Sequence, residues 1–237
     1  TMIDSTAKSS SMIGIGIMQG RLVPPINEQL QAFPGQAWDT EIKLCRQIGV
    51  HCMEWIWDGG DYLLPNPLSS FAGAGIISEI FSPSISSLCA DFFVGAPLLL
   101  RIPDGVRLQQ RILRLKWLIF QCSLANIPIL TLPFVDDNAI HNQAEADDVA
   151  GLMYAIRELT EACGIEIALE TNLCPSDFEY LLENCPPDIG VNYDSGNSAS
   201  LGYNVKDEWD TYGAKIINDH IKDRLLHGPS VPLGEGN

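Results

Sequence analysis

Apolar and polar positions repeat along this chain with two periods. Short apolar runs recur at 12–18 (MIGIGIM), 50–57 (VHCMEWIW), 84–93 (SISSLCADFF), 127–134 (IPILTLPF), 165–171 (IEIALET), 188–194 (DIGVNYD) and 215–223 (KIINDHIKD). Between them lie stretches with helical spacing. The first is 37–49, where Ile42, Leu44, Cys45 and Ile48 recur before a stop at Gly49. The others are 74–81, 105–126, 143–164 (closed by Gly164), the segment opened by Pro175, and 206–214. Runs that are apolar on both faces suit strands covered on both sides, so the alternation predicts a parallel α/β protein. The regular spacing, with no glycine-rich phosphate loop after the first strand, favours a (β/α)8 TIM barrel over a doubly wound sheet. The glycines of GIGIMQG (14–20) lie inside a strand rather than at a strand-to-helix turn, which argues against a dinucleotide site.

Seven strands are visible, and the chain then runs through RLLHGPSVPLGEGN (224–237). The expectation is a single TIM-barrel domain over 13–237 with its eighth βα unit missing, preceded at 1–12 by a disordered or vector-derived start. These residues would then be the ordered part of a longer polypeptide, with an unanchored, mobile segment from Arg224 on. Unpaired edges on the first and seventh strands invite pairing with another chain, and a homodimer is compatible with them.

Composition narrows the function. With 237 residues and 46% hydrophobic residues, the chain can bury a substantial core. Its formal charge of −16 repels a phosphate backbone, so no nucleic-acid partner is expected. No apolar stretch approaches the roughly 20 residues of a membrane span, and no secretory signal is visible. Cysteines 45, 52, 89, 122, 163, 174 and 185 form no CxxC pair, and they read as free thiols of a cytoplasmic protein.

Three polar residues share one position: Glu170, Asp194 and His220 close the fifth, sixth and seventh strands. In a barrel these C-terminal ends converge on one face. Two carboxylates and an imidazole there suit a divalent ion, Mn, Mg, Zn or Co. An unpaired aspartate at the mouth of a buried strand is costly, and a ligand role accounts for Asp194 better than turn formation does.

GIMQGRL (16–22), EWIWD (54–58), ALETN (168–172), DSGN (194–197), HIKDR (220–224) and PLGEGN (232–237) occur in an order that resembles the xylose isomerase-like superfamily of sugar isomerases, epimerases and class II apurinic endonucleases. The resemblance implies a metal held by Glu, Asp, His and a final Glu. The first three correspond to Glu170, Asp194 and His220; the fourth has no counterpart, since Glu235 is not at the matching position. It also implies Glu170 as a catalytic acid/base. The endonucleases' additional histidines are missing: the corresponding places read EWIWD and CADFF, and Asn197 stands where endonucleases and ketose epimerases carry a histidine.

The implied activity is divalent-metal-dependent isomerisation or epimerisation of a sugar or sugar phosphate by proton abstraction next to a carbonyl. Dehydration of a cyclitol or dehydroshikimate-like acid, and a degenerate barrel that binds a sugar or partner without turnover, remain alternatives. Candidate substrate contacts are Arg21, Glu54, Trp55, Asn172, Asn197 and Lys222, three of them with a structural rival: a salt bridge for Arg21, core packing for Trp55, a pair with Asp194 or Asp223 for Lys222.

Overall fold

The computed structural model describes residues 14–29, 31–59, 66–99 and 104–236. Each apolar run forms a parallel strand: β1 (Gly16–Met18), β2 (Cys52–Ile56), β3 (Ser84–Cys89), β4 (Ile129–Phe134), β5 (Glu166–Thr171), β6 (Gly190–Asp194) and β7 (Ile216–His220). They hydrogen-bond in sequence order, β1 to β7, as one curled sheet whose edges are β1 and β7. Helices α1 (Trp38–Ile48), α2 (Phe71–Ser78), α3 (Phe92–Gly95), α4 (Gly105–Leu124), α5 (Gln143–Cys163), α6 (Pro175–Asn184), α7 (Ser195–Leu201) and α8 (Val205–Tyr212) connect them. This is the expected α/β TIM-barrel architecture, seven-stranded among the described residues. Residues 1–12, read as a disordered or vector-derived start, lie outside the described residues.

Alternation along each strand splits the core into two parts. Side chains facing the helices are apolar: Trp55 packs against Phe33 and Trp38, with ring centroids 5.8 Å apart in both pairs. Trp57 is fully buried against Phe92, Phe93 and Trp117. Burying side chains of this size contributes on the order of 2–3 kcal/mol each. Facing inward is a different set, with Glu54, Ser87, Thr131, Glu170 and Asn192 all buried and polar. No described helix is long and apolar enough to cross a membrane.

Several boundaries differ from the sequence expectation, for local reasons. Helix α2 occupies 71–78 rather than 74–81 because Ser70 caps it, its Oγ accepting from Gly73 N at 3.1 Å. The third strand ends at Cys89, and the chain turns at once into the single turn α3. Asp194 does not open a plain turn. Its Oδ1 accepts from Asn197 N at 3.0 Å and caps α7, which ends at Gly202 in a left-handed conformation (φ 75°). The segment from Arg224 is anchored: β8 (Asp223–Arg224) pairs antiparallel with β9 (Ser230–Val231), and His227 N donates to Ser200 O at 2.8 Å.

Candidate metal centre and cleft

Asp194 and His220, the last residues of β6 and β7, are register partners, and Glu170 lies one residue before the end of β5. Their side chains, with that of Glu170, converge inside the barrel. One ligand atom from each lies within 4.8 Å of the other two. Nδ1 of His220 is 3.6 Å from Glu170 Oε2 and 3.7 Å from Asp194 Oδ2. Ligand bonds of roughly 2.0–2.2 Å place neighbouring donors about 3–3.6 Å apart, so this spacing and this oxygen–oxygen–nitrogen set fit a divalent cation.

The surroundings assign each group a charge state. Glu170 is buried, with Oε2 accepting from Asn192 Nδ2 at 2.9 Å and Oε1 from Asn197 Nδ2 at 3.0 Å. Burial nevertheless raises its pKa to about 7; Asp194 and Glu54 push the same way, against His220 and Lys222. For Asp194, burial also opposes ionisation, but His220 and the Lys222 ammonium, 2.6 Å from Oδ2, outweigh it and hold the carboxyl well below its usual range. His220 is pulled well upward, since Glu54, Asp194 and Glu170 together overcome the burial that would lower it. A cation entering the site therefore competes with Lys222 for Asp194 Oδ2.

Above the three ligands lies a cleft of about 500 Å³, lined by Gln31, Asp58, Cys89, Asp91, Asp136, Glu170, Asn197 and Lys222 among others. Asp91 Oδ1 accepts from Gln31 Nε2 at 2.8 Å. Burial raises the pKa of Asp91, with like charge from Glu54 and Asp58 adding to it.

The candidate substrate contacts separate on this map. Asn197 and Lys222 line the cleft. Asn197 also holds Glu170, and it accepts from Arg224 Nη1 at 3.0 Å. Of its rival pairings, Lys222 takes Asp194. Glu54 is buried beneath the cleft rather than in its lining, bonded to His220. Trp55 has no exposed surface, and its indole donates to Asn66 Oδ1 at 3.0 Å. As the partner strand face to Glu54, it points to the helices and away from any substrate. Arg21 is exposed outside the cleft lining, with Nη2 3.8 Å from Met18 Sδ. Its loop is braced from below: buried Glu41 accepts from Gly20 N at 2.8 Å and Leu22 N at 2.9 Å. Asn172 accepts from Tyr203 OH through its carbonyl and opens on a neighbouring cleft with Tyr180 and Tyr203.

Sequence reasoning missed Asn192 and Asn218, which knit the site together. The signal was available: Asn192 stands two residues before Asp194, and Asn218 two before His220, on the same strand faces. The cleft residues Gln31, Asp58 and Cys89 were missed as well, although Asp58 closes EWIWD and Cys89 opens CADFF; for Gln31 no local motif gives a signal.

No protein-family model matches the sequence, and no curated protein does. Solved structures do. An L-ribulose 3-epimerase superposes with a TM-score of 0.71 at 13% identity, over 95% of this chain and 74% of its own. A xylose isomerase domain protein from Planctomyces limnophilus gives 0.68 at 15% identity, over 94% and 82%. The IolI protein, solved with a bound zinc atom, gives 0.68 at 16% identity, over 94% and 80%. At such identities the likeness is one of fold.

Proposed function

We propose that this chain, a barrel of the xylose isomerase-like fold, is a divalent-metal-dependent isomerase or epimerase acting on a sugar. The convergence of Glu170, Asp194 and His220 at the floor of an open cleft carries this reading. The epimerase among its structural neighbours, and the zinc in IolI, support it.

Glu170, Asp194 and His220 would hold the ion, which supplies polarisation of a carbonyl and its neighbouring hydroxyl. The protein's own part is proton transfer and orientation. Glu170 reaches both the ligand set and the cleft, so its carboxylate is placed to take a proton from a substrate bound there and give it back. Asn197 fixes its carboxylate from the cleft side, and Asn192 from the barrel interior. Lys222 keeps Asp194 ionised.

Charge favours an unphosphorylated substrate. Among the described residues, the cleft lining carries Asp58, Asp91, Asp136 and Glu170 against one cation, Lys222, which is already paired. A phosphate dianion would add to this excess of carboxylates, whereas carboxylates and amides readily hydrogen-bond sugar hydroxyls.

Incubation with Mn2+ and a panel of keto- and aldo-sugars in D2O tests the reading. Deuterium is expected at the carbon next to the carbonyl, and Glu170→Gln should abolish its uptake. Exchange that persists in the variant, or none with any free or phosphorylated sugar, would sink it. Loss of water, seen as new conjugated absorbance, would reassign the site to a dehydratase.

A further inference from the structure

Glu54 and His220 make one of the two shortest contacts to the candidate ligand set, and the metal reading alone does not account for it. Glu54 Oε2 lies 2.6 Å from His220 Nε2. Its other oxygen accepts from Ser87 Oγ at 2.9 Å and Asn218 Nδ2 at 2.9 Å, with Thr131 Oγ1 at 3.5 Å. Donors on β3, β4 and β7 thus converge on one carboxylate of β2 deep in the barrel. The carboxylate is buried and absent from the cleft lining, so substrate contact does not account for this arrangement.

The network also favours one nitrogen of His220 as the lone-pair atom once the ring is neutral. Asn218 Nδ2 donates to both Glu54 Oε1 and Asn192 Oδ1, the latter at 2.8 Å. That identifies the oxygen end of the Asn192 amide. Its nitrogen then donates to Glu170 Oε2 and faces His220 Nδ1 at 3.2 Å. In the neutral ring that a ligand role requires, the nitrogen facing an N–H2 donor is the acceptor, so Nδ1 is then the lone-pair atom and Nε2 gives its hydrogen to Glu54. Nδ1 is also the atom that faces Glu170 and Asp194.

We infer that Glu54 is a positioning residue that holds His220 in the tautomer and orientation in which Nδ1 is the ligating atom, with Ser87 and Asn218 fixing Glu54 in turn. This rests on the metal-dependent reading of the site. Carboxylate partners of ligating histidines typically change metal affinity about 10–100-fold when altered.

The test is Co2+ binding to the full chain, followed by its visible spectrum and by the paramagnetically shifted ring N–H proton of His220. In wild-type protein that proton should belong to Nε2 and exchange slowly with solvent. Glu54→Gln should weaken Co2+ binding about 10–100-fold and move the proton, or speed its exchange, at a temperature where circular dichroism shows the native fold. Glu54→Asp, which withdraws the carboxylate by one methylene, should act in the same direction. A folded Glu54→Gln protein with wild-type affinity and an unmoved proton overturns the inference, as does ligation through Nε2. Failure of both variants to fold marks Glu54 as a folding residue and overturns it too. Wild-type protein that takes up no Co2+ fails earlier: it removes the metal reading itself.

Discussion

Replacing Glu170 with glutamine should stabilise the metal-free protein at alkaline pH while destroying its site. The carboxylate is buried beside Asp194 and Glu54, and its pKa in the fold is about 7 against an ordinary 4.5. A folded-state pKa above the unfolded value means that the native state keeps a proton the unfolded chain has already lost. Wild-type stability therefore falls as pH rises from about 4.5 to about 7, and the loss is complete above that window. Two and a half units at 1.36 kcal/mol each amount to about 3 kcal/mol. Glutamine removes this term. Its own –NH2, however, must face one of the two amide donors, Asn192 Nδ2 or Asn197 Nδ2, that the carboxylate satisfied. One unmatched buried donor costs about 1 kcal/mol at every pH. Glu170→Gln should thus be less stable than wild type by about 1 kcal/mol at pH 4 and more stable by about 2 kcal/mol at pH 9. Urea unfolding of both proteins in EDTA across this range measures it. Saturating Mn2+ should reverse the order at pH 9, because only the wild type gains the binding term, about 2.7 kcal/mol at 100 times Kd. A stability difference that does not change with pH would refute the reasoning, since burial of an ionised carboxylate is its only source.

Two further outcomes follow from single contacts. Lys222→Met removes the ammonium 2.6 Å from Asp194 Oδ2. Titration should show Co2+ binding tightened on the order of tenfold, with lower stability of the metal-free protein; unchanged or weaker binding would show that Lys222 does not compete for the site. Gly73→Ala places a Cβ 1.9 Å from the Pro67 carbonyl oxygen, against backbone that cannot step aside cheaply. Despite alanine's better helix propensity, thermal melting should show a loss of about 2 kcal/mol.

The fold was legible because strands buried on both faces are apolar almost throughout, and helices between them keep a 3.6-residue period. The candidate ligands stood out for the same reason: Glu170, Asp194 and His220 interrupt or end such runs, where an unpartnered charge would be costly. Glu54 stood out just as clearly, but its role did not. A carboxylate at a strand end reads alike whether it faces substrate or a histidine on a strand five places away in the sheet, and only the closure of the barrel brings β2 to β7. Trp55 was misread because aromatic character fits a sugar face and a core equally; the alternation that turns Glu54 inward is what sends Trp55 to the helices. Cleft residues such as Gln31 and Asp58 come from loops, and loop positions carry no period from which their direction could be read.

Charge balance joins the metal reading to the choice of substrate. With its carboxylates ionised, the buried site holds Glu54, Glu170 and Asp194 against protonated His220 and Lys222, a net charge of −1. A divalent ion that takes the His220 Nδ1 lone pair requires that ring to be neutral, so binding exchanges one proton for two positive charges. The loaded site is then neutral: three carboxylates, one ammonium and one dication. Under the proposed function a neutral sugar would enter without adding charge to a low-dielectric cavity, and a proton passed from it to Glu170 would only move charge within the site. A phosphorylated sugar would add about two negative charges beneath Asp58, Asp91 and Asp136, with the only described lysine of the lining already committed to Asp194. The arrangement that would balance the proposed proton abstraction is thus the one that would disfavour a phosphate, and a competition assay between a free sugar and its phosphate, with preference for the free sugar expected, tests it.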